Sequence, residues 1–282
     1  MLKSLRFITS SLCGLALLIG SGTASAQIDA GTAESLMRSS GLWQQLEPLA
    51  PQVRNEFLAA LEKAGARPSP GEAQRLGQVI TSAYAADRLR ASALGVFKSE
   101  LNAQHVPALK QWYASRVGKT IAGMEEAASA DASEPQAVME KGAALLGAAT
   151  AQRRAALEEL VTVSRVAEAL VQITIDTAVA AQRGALSLNP EASVSALDNF
   201  KAEMQAQRPQ WLAAFASLAI AGYAKDYDAL PTDELVQYVE FLKTPAGQHF
   251  TDVGLKAYST AMVAASTDMG RGLPGTKDKA NT

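Results

Sequence analysis

Leu230-Pro231-Thr232-Asp233-Glu234-Leu235-Val236-Gln237-Tyr238, followed by Phe241-Leu242-Lys243-Thr244-Pro245-Ala246-Gly247-Gln248, decides the fold, because it spells two helix starts in succession. Pro231 pushes the residue before it out of the α region, and Asp233 and Glu234 then place negative charge in a first helical turn, where the helix dipole favours it by about 0.3–1 kcal/mol. Leu235, Tyr238 and Leu242 recur at steps of three and four, which is one stripe of a helix. Thr244 before Pro245 opens the next helix. The same grammar occurs 129 residues earlier without a gap: Leu101-Asn102-Ala103-Gln104-His105-Val106-Pro107-Ala108-Leu109 falls on Leu230 to Tyr238. Continuing at that offset, Trp112 falls on Phe241, Ser115 on Thr244, Gly118 on Gly247, Ile121 on Phe250 and Met124 on Val253. Gly118 and Gly247 are expected at a corner between two amphipathic helices, where the chain needs either positive φ or close backbone approach.

Outward from this anchor, Glu34-Ser35-Leu36 through Leu46 matches Glu158-Glu159-Leu160 through Leu170 at an offset of 124. Two matches in the same order with nearly equal offsets predict a duplicated unit of about 125 residues. The expected organisation is a signal peptide over 1–26, a first helical repeat over 27–130, a connecting segment over 131–156, a second helical repeat over 157–268 and a disordered tail over 269–282.

The rest of the chain agrees with an all-α reading of roughly ten helices. Alanine is roughly one residue in five, in stretches shared with Leu, Glu, Gln, Arg and Lys, the residues that lose least on entering a helix. Ser69-Pro70 with Glu72 is a capping box, and Asn189-Pro190-Glu191 and Arg208-Pro209 mark further boundaries. Leu160, Val163, Val166, Leu170, Ile173 and Thr177 predict a single helical stripe, although the β-branched Ile173-Thr174-Ile175 leaves room for a strand there.

Lys3 and Arg6, the mostly apolar run from Phe7 to Ile19, and Ala24-Ser25-Ala26 have the pattern of a cleavable secretory signal. Thirteen or so residues rise only about 20 Å as a helix, short of the ~30 Å hydrocarbon core, so a membrane anchor is the poorer reading. Cleavage after Ala26 starts the mature protein at Gln27 and removes Cys13, which lacks the small preceding residue of a lipoprotein signal. A chain without cysteine has no disulfide, thiolate metal site or cysteine nucleophile. Losing two of 26 basic residues and none of 28 acidic ones takes the net charge from −2 to −4, which gives no electrostatic footprint for nucleic acid.

Leu230 to Leu235 followed by Phe241 to Gln248 resembles the core signature of a bacterial family known as domain-of-unknown-function family 2059: a short acidic helix start, an aromatic near the helix end, then Ser/Thr-Pro-x-Gly. The second repeat carries it over about 30 residues. The first departs from it, with Arg116 where the proline falls, though Trp112-Tyr113 keeps the aromatic pair. The resemblance implies an exported, largely helical protein and delivers no activity. The residues it marks are Trp112, Tyr113, Gly118, Tyr238, Phe241, Pro245 and Gly247, all read as structural.

Candidate chemistry is sparse. His105 and His249 do not align at the 129 offset and carry no His-x-x-x-His or His-Glu-x-x-His pattern; a local bond between His249 and Asp252 is the plain reading, and no metal is expected. Asp226, Asp228, Asp233 and Glu234 crowd Leu230-Pro231 without EF-hand spacing. No Gly-x-Ser-x-Gly elbow, Gly-x-Gly-x-x-Gly or Walker loop is present, so no catalytic residue and no cofactor is assigned. Arg153-Arg154 and Arg88 with Arg90 read as solvated faces, and Trp43, Trp112, Trp211 and Phe215 as core. The expectation is a non-enzymatic periplasmic or secreted module, outside the membrane after cleavage, that presents a helical surface to an envelope protein or to its own copy. The alternative is a carrier that holds a small hydrophobic or lipid-like ligand in a groove between the repeats.

Overall fold

A computed structural model describes residues 27–131, 135–187 and 194–273. The regular elements among them are all helical: α1 (Ala30–Ser39), α2 (Leu42–Gln45), α3 (Leu49–Lys63), α4 (Pro70–Ala83), α5 (Ala86–Glu100), a 3-10 turn (Ala103–His105), α6 (Val106–Ala114), α7 (Arg116–Ala130), α8 (Pro135–Ala148), α9 (Ala151–Ser164), α10 (Val166–Leu186), α11 (Val194–Ala206), α12 (Arg208–Asp226), α13 (Thr232–Lys243) and α14 (Pro245–Gly272). The chain is all-α. Single residues separate α6 from α7, α9 from α10, α11 from α12 and α13 from α14, so the roughly ten rods read from the sequence are divided into more, shorter pieces.

Side-chain caps explain where many of these helices begin. Asp29, Ser115, Thr150 and Thr244 each accept the amide three residues on, worth about 1 kcal/mol apiece. Ser69 forms the full capping box, its own amide donating to Glu72 Oε2 at 2.8 Å. Three joints among the described residues pass through the left-handed region: Gly41 at φ 76° between α1 and α2, Gly65 at φ 78° between α3 and α4, and Arg165 at φ 52° between α9 and α10; Gly41 and Arg165 lie 124 residues apart. Arg165 also breaks the stripe predicted from Leu160 to Thr177. Beyond that joint α10 buries Ala167, Val171, Ile175 and Val179, so Leu170, Ile173 and Thr177 are displaced to its flanks, and Ile173-Thr174-Ile175 is helical.

The main core draws on both ends of the chain, with α14 running through it. Ala246, Phe250, Val253, Ala257, Ala261, Ala265 and Met269 form its buried stripe, mostly alanines that let neighbouring helices come close. Tyr84 on α4 bonds Ser266 on α14 at 2.7 Å within this core. A smaller cluster joins Val171, Ile175 and Val179 of α10 to Leu197, Phe200 and Met204 of α11 and Trp211, Leu212 and Phe215 of α12. Trp211 and Phe215 are thus partly buried satellites of the main core.

Two boundaries differ from those the sequence suggests. The segment 131–156 carries α8, which lies against α12 at Gly142 and Ala221, and the start of α9, so it is a packed element as well as a connection. At the other end α14 continues to Gly272, past the boundary expected at 268, with Met269 and Gly270 buried, because the four-residue spacing of Ala257, Ala261 and Ala265 carries on through Met269. The remaining tail residues 274–282, the expected signal segment 1–26 with Cys13, and the Asn189-Pro190-Glu191 boundary lie outside the described residues. Among the described residues, no helix is long and apolar enough to cross a membrane.

Candidate functional site

The seven residues singled out by the sequence converge on one place. Trp112 and Tyr113 end α6, Gly118 lies in the first turn of α7, Tyr238 and Phe241 are on α13, and Pro245 and Gly247 open α14. Each helix pair turns through a single extended residue, Ser115 at φ −65°, ψ 160° and Thr244 at φ −67°, ψ 154°. Ser115 Oγ accepts from the Gly118 amide at 3.0 Å and donates to the Trp112 carbonyl at 2.6 Å; Thr244 Oγ1 does the same with Gly247 and Phe241 at 3.0 and 2.7 Å. One hydroxyl therefore caps the incoming helix and the outgoing one. A Cβ on Gly118 would fall 2.2 Å from the Trp112 carbonyl oxygen, and one on Gly247 2.1 Å from that of Phe241. Close approach, not positive φ, is what demands glycine, and the break itself lies three residues earlier than the glycines suggest.

The two corners meet through their aromatic residues. Trp112 stacks on Phe241 with centroids 4.2 Å apart and planes 4° apart, and Tyr238 continues the stack at 6.1 Å and 11°. Tyr113 sets its ring against Phe241 and Phe250. Phe241 is buried, whereas Trp112, expected in the core, is half-buried at the rim. Trp43 also departs from expectation: it is half-buried, with the Arg38 and Arg90 guanidinium groups 4.1 and 5.0 Å from its ring, a cation–π arrangement.

Beneath the stack is a carboxylate that the sequence reading did not single out. Glu125 on α7 receives the hydroxyls of Tyr227 and Tyr238 on one oxygen, both at 2.7 Å. Burial pushes its carboxyl above the usual glutamate range; the two phenol hydrogen bonds pull it back in part, and the charge of Asp226 adds to the rise. The same burial drives Tyr113, Tyr227 and Tyr238 well above the ordinary tyrosine value, with the Glu125 charge adding to it. Glu125 thereby links α7 to α12 and α13. Its sequence neighbours carry no periodic sign of this, since the partners lie 102 and 113 residues away.

The acidic residues near Leu230 do not converge. Glu234 is 6 % exposed and accepts from Arg116 Nη2 at 2.8 Å, so its place in the first turn of α13 is only part of its role. Asp226 pairs with Lys225, which also reaches Asp131 at 2.6 Å. Among the described residues, no group of three His, Cys, Asp or Glu side chains is arranged to hold a metal ion. His249 leaves Asp252 to an ion pair with Arg165 and turns to Asn102 instead. The arginines read as solvated are clamps: Arg153 donates to the Leu230 and Tyr227 carbonyls at 2.7 and 2.6 Å, Arg88 reaches Asp268, and Arg90 holds the Trp43 carbonyl at 3.0 Å.

Two open clefts mark the surface. One of about 370 Å³ between α10, α12 and α14 is lined by Arg165, Glu168, Gln172, Arg208 and Lys256 among others, and one of about 670 Å³ between α3 and α4 by Arg54, Leu58, Gln74, Gln78 and Thr81 among others. The first sets charged and amide groups beside Ala169, Ile173 and Leu255, and the second beside Leu58 and Ala73. No protein-family model, curated protein or solved structure matches the chain.

Proposed function

We propose that this chain is an exported helical interaction module of the bacterial cell envelope, built from two duplicated halves of the family 2059 type, and that it works by presenting a helix surface to a protein partner. The observation that carries this reading is α3. Of its 15 residues only Leu49 and Ala50 are buried; Val53 and Phe57 rest partly on the main core, and together with Leu58 at the cleft to α4 and Leu61 they leave an apolar stripe half-exposed. Such a stripe is the usual helix-in-groove anchor pattern. The competing reading, a carrier with a greasy groove between the halves, is disfavoured because Trp112, Tyr238, Phe241 and Phe250 fill the meeting place of the two corners. Duplication is supported by the matched corners at Ser115 and Thr244 and the matched left-handed joints at Gly41 and Arg165.

A photo-crosslinker at Leu58 in living cells tests the proposal. A discrete adduct that disappears when Leu61 is replaced by lysine supports it; unchanged labelling, or a lipid found bound by native mass spectrometry, favours the carrier. The intact mass of the cellular protein tests export, with Gln27 as the expected first residue.

A further inference from the structure

The cleft between α10, α12 and α14 holds about 370 Å³, at the lower end of the range for small-molecule sites, and shares no residue with the α3 surface. Three cations line it: Arg165 from the joint before α10, Arg208 from the first turn of α12 and Lys256 from α14. Two of them are matched by carboxylates, Arg165 by Asp252 and Lys256 by Glu100. Arg208 is not. Half-buried, it donates from Nη1 to Gln172 Oε1 at 2.9 Å, and among the described residues no carboxylate pairs with it. It also opens α12, the helix end at which the dipole disfavours a cation.

Gln172 is itself fixed, because its Nε2 donates to Asp176 Oδ1 at 2.9 Å and so keeps Oε1 turned to Arg208. One neutral acceptor leaves the other guanidinium donors, and the charge, unanswered. Arg165 adds a second sign. It holds φ 52°, a left-handed conformation that strains any residue with a Cβ, whereas the joint 124 residues earlier uses Gly41. The strained backbone delivers a guanidinium to the same cleft.

We infer that this cleft binds a small organic monocarboxylate with a short aliphatic body. The carboxylate sits on the planar fork of Arg208, which matches two carboxylate oxygens at once. The body lies against Ile173 and Leu255, both half-buried in the cleft wall. Charge selects the class. Of the three lining cations only Arg208 lacks a carboxylate, so one negative charge completes the set. Glu168, in the same wall and unpaired among the described residues, repels a second, which disfavours a phosphate dianion.

Titration of the full mature chain with sodium hexanoate, followed by NMR at the Arg208 Nε–H and the Ile173 and Leu255 methyl groups, tests this. Saturable shifts are expected at all of these groups. Hexanol, which lacks the charge, and inorganic phosphate, which lacks the body, should each bind at least about tenfold more weakly. Arg208→Gln should weaken hexanoate binding about tenfold, the size of one lost charge-assisted contact. Glu168→Gln, at an exposed position, should tighten it about threefold, the size of one exposed charge interaction. No saturable shift with hexanoate, equal affinity for hexanol or for phosphate, or an affinity unmoved by either substitution overturns the site.

Discussion

Trp112 and Phe241, 129 residues apart in the chain, lie face to face at 4.2 Å, each directly before a hydroxyl-capped corner that the other's chain segment reproduces. The two rings therefore couple the α6–α7 corner directly to the α13–α14 corner. Phe241→Ala should cost about 3–4 kcal/mol and Trp112→Ala, half-exposed, about 2 kcal/mol in urea unfolding. The double variant should recover about 0.5–1.5 kcal/mol relative to the sum, the coupling of a ring pair. Strict additivity would mean the rings do not interact in solution.

The corners make a sharper test of local geometry. Gly118→Ala and Gly247→Ala each drive a methyl into a carbonyl oxygen of the preceding helix, and the backbone must move to admit it. We expect a loss of about 2–3 kcal/mol at either site, in the range of overpacking. Ser115→Ala and Thr244→Ala should each cost only about 1 kcal/mol, the worth of a cap. Thermal unfolding that ranks the hydroxyl variants below the glycine variants would contradict this.

Much of this was legible in the sequence, for identifiable reasons. Caps and corners are local: Ser69-Pro70-Glu72 and Thr244-Pro245-x-Gly247 state their hydrogen bonds within four residues. The alanine-rich composition announces helices. The stripe across Arg165 misled because a left-handed arginine has no local signature, unlike glycine at Gly41. Met269 and Gly270 fall in the expected tail because the glycines, proline and polar residues beyond Arg271 suggest loose chain, whereas burial against the core keeps α14 helical to Gly272. Glu125 and the His105–His249 contact were invisible because their partners are more than 100 residues distant and no spacing rule connects them.

Arg153 illustrates the same gap and yields a third prediction. Its guanidinium spans the Leu230 and Tyr227 carbonyls, tying α9 to the turn between α12 and α13. Lysine keeps the charge but not the planar fork. Arg153→Lys should therefore lose about 1–2 kcal/mol in chemical denaturation, one charge-assisted bond to a carbonyl. A loss confined to high pH, or none, would show that charge alone holds this turn.

Glu125 gives the last prediction, and its sign is opposite to that of most carboxylates. Its folded-state affinity for a proton is raised above the ordinary glutamate value of 4.5, chiefly by burial, so the folded chain holds that proton more tightly than the unfolded one. Stability from this group is accordingly greatest below the ordinary glutamate range and is lost as pH climbs through the raised folded value, because there the folded state must bury a charge that the unfolded state solvates. Glu125→Gln keeps an oxygen for Tyr227 and Tyr238 and never ionises. Urea unfolding of both proteins at pH 5 and pH 8 isolates the effect, since every other titrating group cancels in the comparison. Relative to the parent, Glu125→Gln should be more favourable at pH 8 than at pH 5. A difference that shrinks or reverses with rising pH would mean that Glu125 is held charged by its two tyrosines, with their hydrogen bonds outweighing the burial that surrounds them.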